Sequence, residues 1–131
     1  MIRVLIADDN RRKVDAVIQT LHAFVAEENL IVEVATTAND ATQAMTRQRF
    51  DLLIIDLKLP VRRGEPARSD GGMTVMIRFK KRGGAIRPGH IVGLTAFDDL
   101  RDQYRGDFEA SLWHLVKYEE SSNDWAEKLW T

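Results

Sequence analysis

The chain has 131 residues, of which 44% are hydrophobic and 30% charged, and this profile is typical of a globular domain with its own core. Its 19 basic and 20 acidic residues give a net charge of −1, so no overall positive charge favours nucleic acid or an anionic membrane. The absence of cysteine excludes disulfides, thiolate nucleophiles and cysteine-ligated metal centres.

Strand and helix patterns alternate along the chain. Short runs rich in β-branched side chains predict strands, and apolar side chains three and four residues apart predict helices. In chain order, the sequence predicts a strand at 2–7, a helix at 11–28 capped by Asp9 or Asn10, a strand at 30–35, a helix capped by Asn39 or Asp40, a strand at 52–55, a helix at 72–82, a strand at 91–94, a helix at 98–106, a strand at 112–116, and a helix with Trp125, Leu129 and Trp130. This alternation predicts an α/β protein, a doubly wound, five-stranded parallel sheet with helices on both faces.

A long polar segment interrupts the alternation. Residues 61–71 contain Gly64, Pro66 and Gly71, and they follow the third strand, which is apolar on both faces. We interpret them as a long loop at the carboxyl edge of the sheet, within a single domain that spans residues 1–131. Loops longer than about 12 residues in a compact domain are usually functional or mobile.

Five chemically capable side chains follow the predicted strands, at the edge where a doubly wound sheet places its functional site. They are Asp8, Asp9, Asp56, Thr95 and Lys117. Three carboxylates in one pocket repel one another, and a divalent cation removes that repulsion. Because Mg²⁺ prefers oxygen ligands and is usually held by one or two carboxylates with phosphate oxygens, the cluster predicts a Mg²⁺ site open to a phosphoryl group.

Asp56 is the predicted nucleophile, since carboxylates form acyl phosphates in covalent catalysis. Lys117 then supplies a positive charge, and Thr95 supplies a hydrogen bond to the phosphoryl oxygens. Each residue also has a plainer interpretation: residues 8–10 as a helix cap, Thr95 as an ordinary strand end, and Lys117 as a solvated charge. Asp56 fits such an interpretation poorly, because an acid at the end of a buried strand is costly unless it is paired.

Three segments and one lysine resemble the receiver domain of two-component response regulators, the CheY-like superfamily with a flavodoxin-like (βα)5 fold. Residues 4–10 (VLIADDN) resemble the acidic pair after its first strand, and residues 51–60 (DLLIIDLKLP) resemble its phosphoacceptor segment. Residues 91–96 (IVGLTA) resemble its Thr/Ser strand, and Lys117 stands at the family's distance from Thr95. The resemblance covers essentially the whole chain.

The resemblance implies a phosphoacceptor switch. Asp56 would accept a phosphoryl group from a histidine kinase or a phosphotransfer protein, Thr95 and Lys117 would contact that group, and the surface around the fourth helix, fifth strand and fifth helix would change. The implied Mg²⁺ ligands are Asp9, Asp56 and the backbone carbonyl of Lys58, with Asp8 acting through water. Such a domain catalyses at most its own phosphorylation and dephosphorylation, so it is not a turnover enzyme.

Two departures from the family concern the lysine and the loop. The family's lysine is usually followed by a proline in a cis peptide, whereas Tyr118 follows here. A non-proline cis bond costs roughly 2.5–4 kcal/mol, so we expect a trans bond and a different position for Lys117. The family's Asp-Gly pair closely follows its proline, whereas here an insertion separates Pro60 from Asp70. The insertion is either a solvated surface loop or a segment that contacts the kinase or covers the acyl phosphate.

Three further side chains bear on switching and hydrolysis. His114 stands where the family usually has an aromatic switch residue, and it either rotates between buried and exposed positions, with added pH sensitivity, or is an ordinary strand histidine. Lys58 and Phe97 occupy two positions that tune hydrolysis in the family. Their bulk predicts slow dephosphorylation, because it hinders an attacking water.

Two other functions stay open at this point. One is a pseudo-receiver, a binding module of the same fold that is never phosphorylated. The other is a phosphatase of the haloacid-dehalogenase type, which also uses an aspartate, a Thr or Ser and a Lys. That enzyme needs a second acid two residues after its nucleophile, where this chain has Lys58.

The expected partners are proteins. A histidine kinase or phosphotransfer protein acts upstream, and a protein target or an output domain outside this chain acts downstream. A homodimer through the tryptophans of the last helix is an alternative to their packing against the sheet. The apolar runs are far shorter than the ~20 residues of a membrane span, and the N-terminus does not resemble a secretion signal. We therefore expect a cytoplasmic location with no membrane partner and no direct binding of nucleic acid.

Overall fold

Strands and helices alternate in the computed structural model, which describes residues 1–79, 85–111 and 113–129. The strands are β1 (Ile2–Ala7), β2 (Leu30–Ala35), β3 (Leu52–Ile55), β4 (His90–Thr95) and β5 (His114–Lys117). The helices are α1 (Arg11–Phe24), α2 (Ala38–Arg47), α3 (Gly71–Arg78), α4 (Asp98–Ala110) and α5 (Asp124–Lys128). No helix within the described residues is long and apolar enough to cross a membrane.

The five strands form one parallel sheet in the order β2-β1-β3-β4-β5, which confirms the predicted fold. The chain starts with β1, which lies one strand in from the edge; it adds β2 at that edge and then crosses back to add β3, β4 and β5 on the other side of β1. The last residue of β1, Ala7, lies opposite Ile55, the last residue of β3. The residues that follow both strands therefore emerge side by side, at the crevice where such sheets bind ligands.

The alternation of side chains along the strands divides the core into two layers. Leu5 and Leu53 pack in the layer that contains the buried residues of α2, α3 and α4. Val4 and Ile54 point the other way and pack with α1 and α5. Both faces of the sheet are covered, as the continuous apolar runs of its central strands predict.

The first helix is shorter than the sequence suggested. Asn10 caps α1, as predicted, because its side chain accepts a hydrogen bond from the Lys13 backbone N–H at 3.3 Å. The helix ends at Phe24 rather than at residue 28, since Val25 is already extended. Residues 27–29 form a short 3₁₀ turn before β2.

The predicted cap of the second helix was wrong by two to three residues. Thr37 caps α2, rather than Asn39 or Asp40, because its hydroxyl accepts a hydrogen bond from the Asp40 N–H at 3.1 Å. Asp40 instead lies inside the first turn. A carboxylate there interacts favourably with the positive end of the helix dipole.

The fourth helix is longer than predicted. It continues to Ala110 rather than ending at residue 106, because Leu100, Tyr104 and Phe108 face the core at a spacing of four residues. Phe108 is fully buried.

Three predictions fall partly outside the described residues. The helix predicted at 72–82 corresponds to α3, and residues 80–82 lie outside the described part of the chain. Leu112, the predicted start of the fifth strand, and Trp130 in the predicted last helix lie outside it as well.

The segment between β3 and α3 folds back on itself. Leu59 and Arg68 form an antiparallel bridge, in which each backbone N–H donates to the other's carbonyl at 3.1 Å. The bridge closes residues 60–67 into a separate loop. The chain therefore re-enters α3 at Gly71 close to the strand that it left.

Candidate functional site

Three carboxylates meet at the carboxyl edge of the sheet. Asp8 and Asp9 follow β1, Asp56 follows β3, and ligand oxygens of all three lie within 4.8 Å of one another. The backbone fixes the two buried ones: the Asp8 N–H donates to the Ala35 carbonyl at 3.0 Å, and the Asp56 N–H donates to the Ala7 carbonyl at 2.9 Å. Asp8 and Asp56 are buried, whereas Asp9 is exposed at the mouth. The predicted clustering of the acids is confirmed.

A lysine that the sequence analysis did not select lies among these acids. The Lys13 ammonium is 2.7 Å from Asp8 Oδ2 and 3.1 Å from Asp56 Oδ2, and it donates a hydrogen bond to the Leu94 carbonyl. Only 1% of the residue is exposed. The sequence did contain a sign that Lys13 is buried, because it stands one turn before Val17 on the apolar face of α1.

Burial raises the pKa of the Asp8 carboxyl above 3.8, because the charged form loses its hydration. The Lys13 ammonium opposes this effect on the pKa, while the nearby Asp56 carboxylate adds to it. The two oxygens of Asp56 have different surroundings. Oδ1 accepts a hydrogen bond from the Lys58 backbone N–H at 3.2 Å, and Oδ2 faces Lys13.

Thr95 ends β4 beside this cluster. Its side chain is fully buried, and its hydroxyl oxygen accepts a hydrogen bond from the Phe97 N–H at 3.3 Å. The sheet therefore brings Thr95 to the predicted edge. Its contact with a phosphoryl group stays a prediction.

Lys117 ends β5 but does not contact the three acids. Its ammonium lies 3.0 Å from Asp98 Oδ1 and donates to the Ala96 carbonyl at 2.8 Å. The hydrogen bond and charge of Lys117 lower the pKa of Asp98 below 3.8. The peptide bond between Lys117 and Tyr118 is trans, as expected. A role for Lys117 at a phosphoryl group stays a prediction.

The mouth of the site is partly covered. The cavity has a volume of about 270 Å³ and is lined by Asp9, Asp56, Lys58, Ala67 and Phe97, among others. The Lys58 ammonium lies 4.6 Å from the centre of the Phe97 ring, so these two side chains touch across the opening. Ala67 comes from the inserted loop, which therefore reaches the site.

His114 and two tryptophans, Trp113 and Trp125, do not line the acid pocket. His114 is exposed at the start of β5. Trp125 is buried and packs against the Tyr118 ring with centroids 5.1 Å apart, and Trp113 packs edge-on against Phe108 at 5.8 Å. Both tryptophans therefore pack inside the domain rather than forming an exposed surface.

The donor set fits a hard divalent cation. Carboxylates from two strands converge, one of them is exposed, and a cavity gives access from solvent. Oxygen ligands and room for water are what Mg²⁺ requires, since it keeps several waters and uses one or two carboxylates.

The sequence model of the response regulator receiver domain matches residues 4–107. The chain belongs to this family. It is 35% identical over 129 residues to the uncharacterized protein y4jS of Sinorhizobium fredii. The match covers 98% of this chain but only 31% of y4jS. The chain therefore spans about a third of that relative.

Solved receiver structures share the fold. TrrA of Thermotoga maritima, solved in complex with Mg²⁺ and BeF, is 24% identical with a TM-score of 0.64, and the match covers 98% of this chain and 96% of TrrA. The Mn²⁺-bound form of the response regulator Rcp1 is 14% identical with a TM-score of 0.72, and the match covers 98% and 89% of the two chains. At these identities the likeness shows the fold alone.

Membership in the receiver family decides between the broad functional classes. The chain is a receiver domain of the two-component signalling type, a family of signalling switches rather than turnover enzymes, and this membership argues against the phosphatase alternative. Its acidic pocket of Asp8, Asp9 and Asp56 is typical of the phosphoacceptor sites of receivers.

Proposed function

We propose that Asp56 accepts a phosphoryl group and that this receiver thereby acts as a reversible switch. The observation that carries the proposal is the convergence of Asp56 with Asp8 and Asp9 within 4.8 Å, at the end of a buried strand. In the reaction, an Asp56 oxygen forms a bond to phosphorus while the bond from phosphorus to the donor breaks. The electron pair of that bond leaves with the donor.

The residues that would hold Mg²⁺ are Asp9, Asp56 and the Lys58 carbonyl, with Asp8 acting through water. Bound metal supplies positive charge to the acids and to the phosphoryl oxygens. Asp9 suits the role of first contact, because it is exposed at the mouth of the cavity. Asp56 Oδ1 suits a ligand, because the Lys13 ammonium faces the other oxygen.

Thr95 and Lys117 are the groups that we propose to contact the transferred phosphoryl. Thr95 would donate its hydroxyl hydrogen to a phosphoryl oxygen, since in this structure the hydroxyl oxygen acts as an acceptor from the Phe97 N–H. Lys117 would leave Asp98, an exposed partner that holds it weakly. Movement of both would reshape the surface around α4, β5 and α5, which is a two-state change driven by local charge.

We propose that residues 1–131 form one receiver domain whose donor is a histidine kinase or a phosphotransfer protein. The support is membership in the family, and on the same ground we place the reaction in the cytoplasm. Because the chain spans 31% of y4jS, an output domain in a longer protein is one proposed readout. A separate protein target is the other.

The experiment is phosphorylation followed by intact mass measurement. The chain is incubated with Mg²⁺ and acetyl phosphate or phosphoramidate, and separately with a phosphorylated histidine kinase. We expect the mass of one phosphoryl group to be added, and to be lost in Asp56→Asn. Asp51→Asn is the matched control, because Asp51 is an exposed acid before the other end of β3, and it should keep the adduct. An adduct that persists in Asp56→Asn, or none from any donor, contradicts the proposal.

A pseudo-receiver is the second candidate, and one observation favours it. The Lys13 ammonium already partners Asp56 and Asp8, so part of the negative charge of the pocket is balanced without phosphate or metal. The same experiment decides, since a pseudo-receiver gains no mass from any donor.

A further inference from the structure

We propose that Lys13 is a built-in counter-ion of the acid pocket and that a divalent cation binds there against its charge. The inference rests on one part of the proposed function, namely that the acid pocket binds Mg²⁺, and it does not require that Asp56 is phosphorylated. It concerns a residue on α1, outside the segments that carry the resemblance to other receivers. In the metal-free protein this ammonium holds two acids from different strands together.

The contacts of Lys13 show that its ammonium is committed to the pocket. It lies 2.7 Å from Asp8 Oδ2 and 3.1 Å from Asp56 Oδ2, and its third hydrogen bond goes to the Leu94 carbonyl on β4. The ammonium therefore joins the ends of β1, β3 and β4. Three partners match its three donors.

The aliphatic part of the Lys13 side chain is also fixed in place. Lys13 lies in the first turn of α1, where its backbone N–H is bonded by the Asn10 cap, and Val17 and Leu21 continue its line into the core. With 1% of the residue exposed, Lys13 is almost completely buried, although it lines the inner wall of the cavity. A buried charge of this kind is stable only while its partners stay charged.

The net charge of the pocket attracts a metal cation, and the positive charge of Lys13 reduces this attraction. Three carboxylates and one ammonium carry two net negative charges. A metal entering through the cavity meets Asp9 and Asp56, and it also meets Lys13, which lines the same cavity with its ammonium 3.1 Å from Asp56 Oδ2. Like charges a few ångströms apart in a partly buried site repel strongly, so Lys13 lowers the affinity for the metal.

The test is a calorimetric titration of Mg²⁺ into the chain without any phosphoryl donor. Lys13→Met keeps most of the stem volume and removes the charge. We expect its dissociation constant for Mg²⁺ to be at least about tenfold lower than that of the wild type. Arg12→Met is the matched control, because it removes one positive charge from the same helix at a side chain that is 86% exposed. Its affinity should stay within about twofold of the wild type, since solvent screens that charge.

Thermal unfolding gives a second readout. Without metal, Lys13→Met should melt below the wild type because three carboxylates lose their counter-ion, and saturating Mg²⁺ should raise its melting temperature by more than it raises that of the wild type. If the single variant does not fold, Asp8→Asn with Lys13→Met is compared with Asp8→Asn alone. The double variant should bind Mg²⁺ more tightly.

Equal or weaker Mg²⁺ binding by Lys13→Met overturns the inference, as does the absence of saturable binding in every variant. These results are separable from the proposed function. Wild type that is phosphorylated at Asp56, with unchanged metal affinity in Lys13→Met, removes only the role of Lys13. Tighter metal binding by Lys13→Met, with no phosphorylation of wild type by any donor, removes only the phosphoacceptor function.

Discussion

Replacing Gly72 by alanine should destabilise the protein by displacing the backbone of Asp56 and Leu57. Gly72 is the second residue of α3, and its N–H donates to the Leu57 carbonyl at 2.9 Å. An added Cβ would overlap the Asp56 carbonyl oxygen and lie 2.9 Å from Leu57 Cα. Both neighbours are backbone atoms, so the chain that carries Asp56 would have to move.

The magnitude follows from two opposing effects. Overpacking of a tight contact typically costs about 1–3 kcal/mol, and alanine in a helix returns roughly 0.5–1 kcal/mol relative to glycine. Because the contact is with backbone, we expect the cost to prevail, with a net loss of about 1–2 kcal/mol. Gly106 provides the matched control. It lies within α4 with nothing within 4 Å of its added Cβ, so Gly106→Ala should gain roughly 0.5–1 kcal/mol.

The assay is urea unfolding followed by circular dichroism, with thermal unfolding as a check. A change of 1 kcal/mol should shift the melting temperature by about 3–5 °C for a domain of this size. Phosphorylation of Gly72→Ala should also slow, because the backbone of Asp56 is displaced. The reasoning is refuted if Gly72→Ala is as stable as the wild type, or if the two variants shift stability in the same direction.

Three other outcomes test the site. Lys58→Ala and Phe97→Ala should each shorten the lifetime of the acyl phosphate, measured by loss of the phosphoryl mass, because the two side chains meet across the mouth; a wild-type lifetime of seconds contradicts the predicted slow hydrolysis. Burial raises the pKa of Asp8 above 3.8, so the native protein binds a proton that the unfolded chain releases, and metal-free stability from this group falls as the pH rises through the raised pKa. Asp8→Asn should flatten that pH dependence in urea unfolding, and an unchanged slope would count against it. The Lys117 ammonium lowers the pKa of Asp98, so carboxyl NMR titration should find it below 3.8 and should return it toward 3.8 in Lys117→Met; identical titrations would show that the pair does not form in solution.

The fold and the acids of the site could be predicted because both depend on repeating patterns. Alternating strand and helix signals determine a parallel sheet, and the carboxyl ends of parallel strands share one edge. Asp8, Asp9 and Asp56 follow two such ends, so their meeting needs no knowledge of individual contacts. The family resemblance added the roles that pattern alone left open.

Lys13 could not be predicted in this way, although its spacing was visible. A lysine in the first turn of a helix is usually solvated, and only the depth of α1 against the sheet makes its side chain reach Asp56. The same limit applies to Phe108, which extends α4 by packing into a core whose shape the sequence does not display. The Leu59–Arg68 bridge is a further case, because a long polar loop gives no sign of where its ends pair.

The positions of Lys117 and Lys13 are connected through Tyr118. Side chains alternate along β5, so Val116 and Tyr118 face α1 and α5, whereas Lys117 emerges toward Asp98 of α4. The Tyr118 N–H donates to the Thr95 carbonyl at 2.7 Å, and its ring lies 5.5 Å from the Lys13 ammonium, within the range of a cation–π attraction. The aromatic residue that replaces the family's proline thus packs on the lysine that is paired with Asp8 and Asp56. Trp125 of α5 also packs on that ring, so a contiguous path of packed side chains leads from α5 through Tyr118 and Lys13 to Asp56.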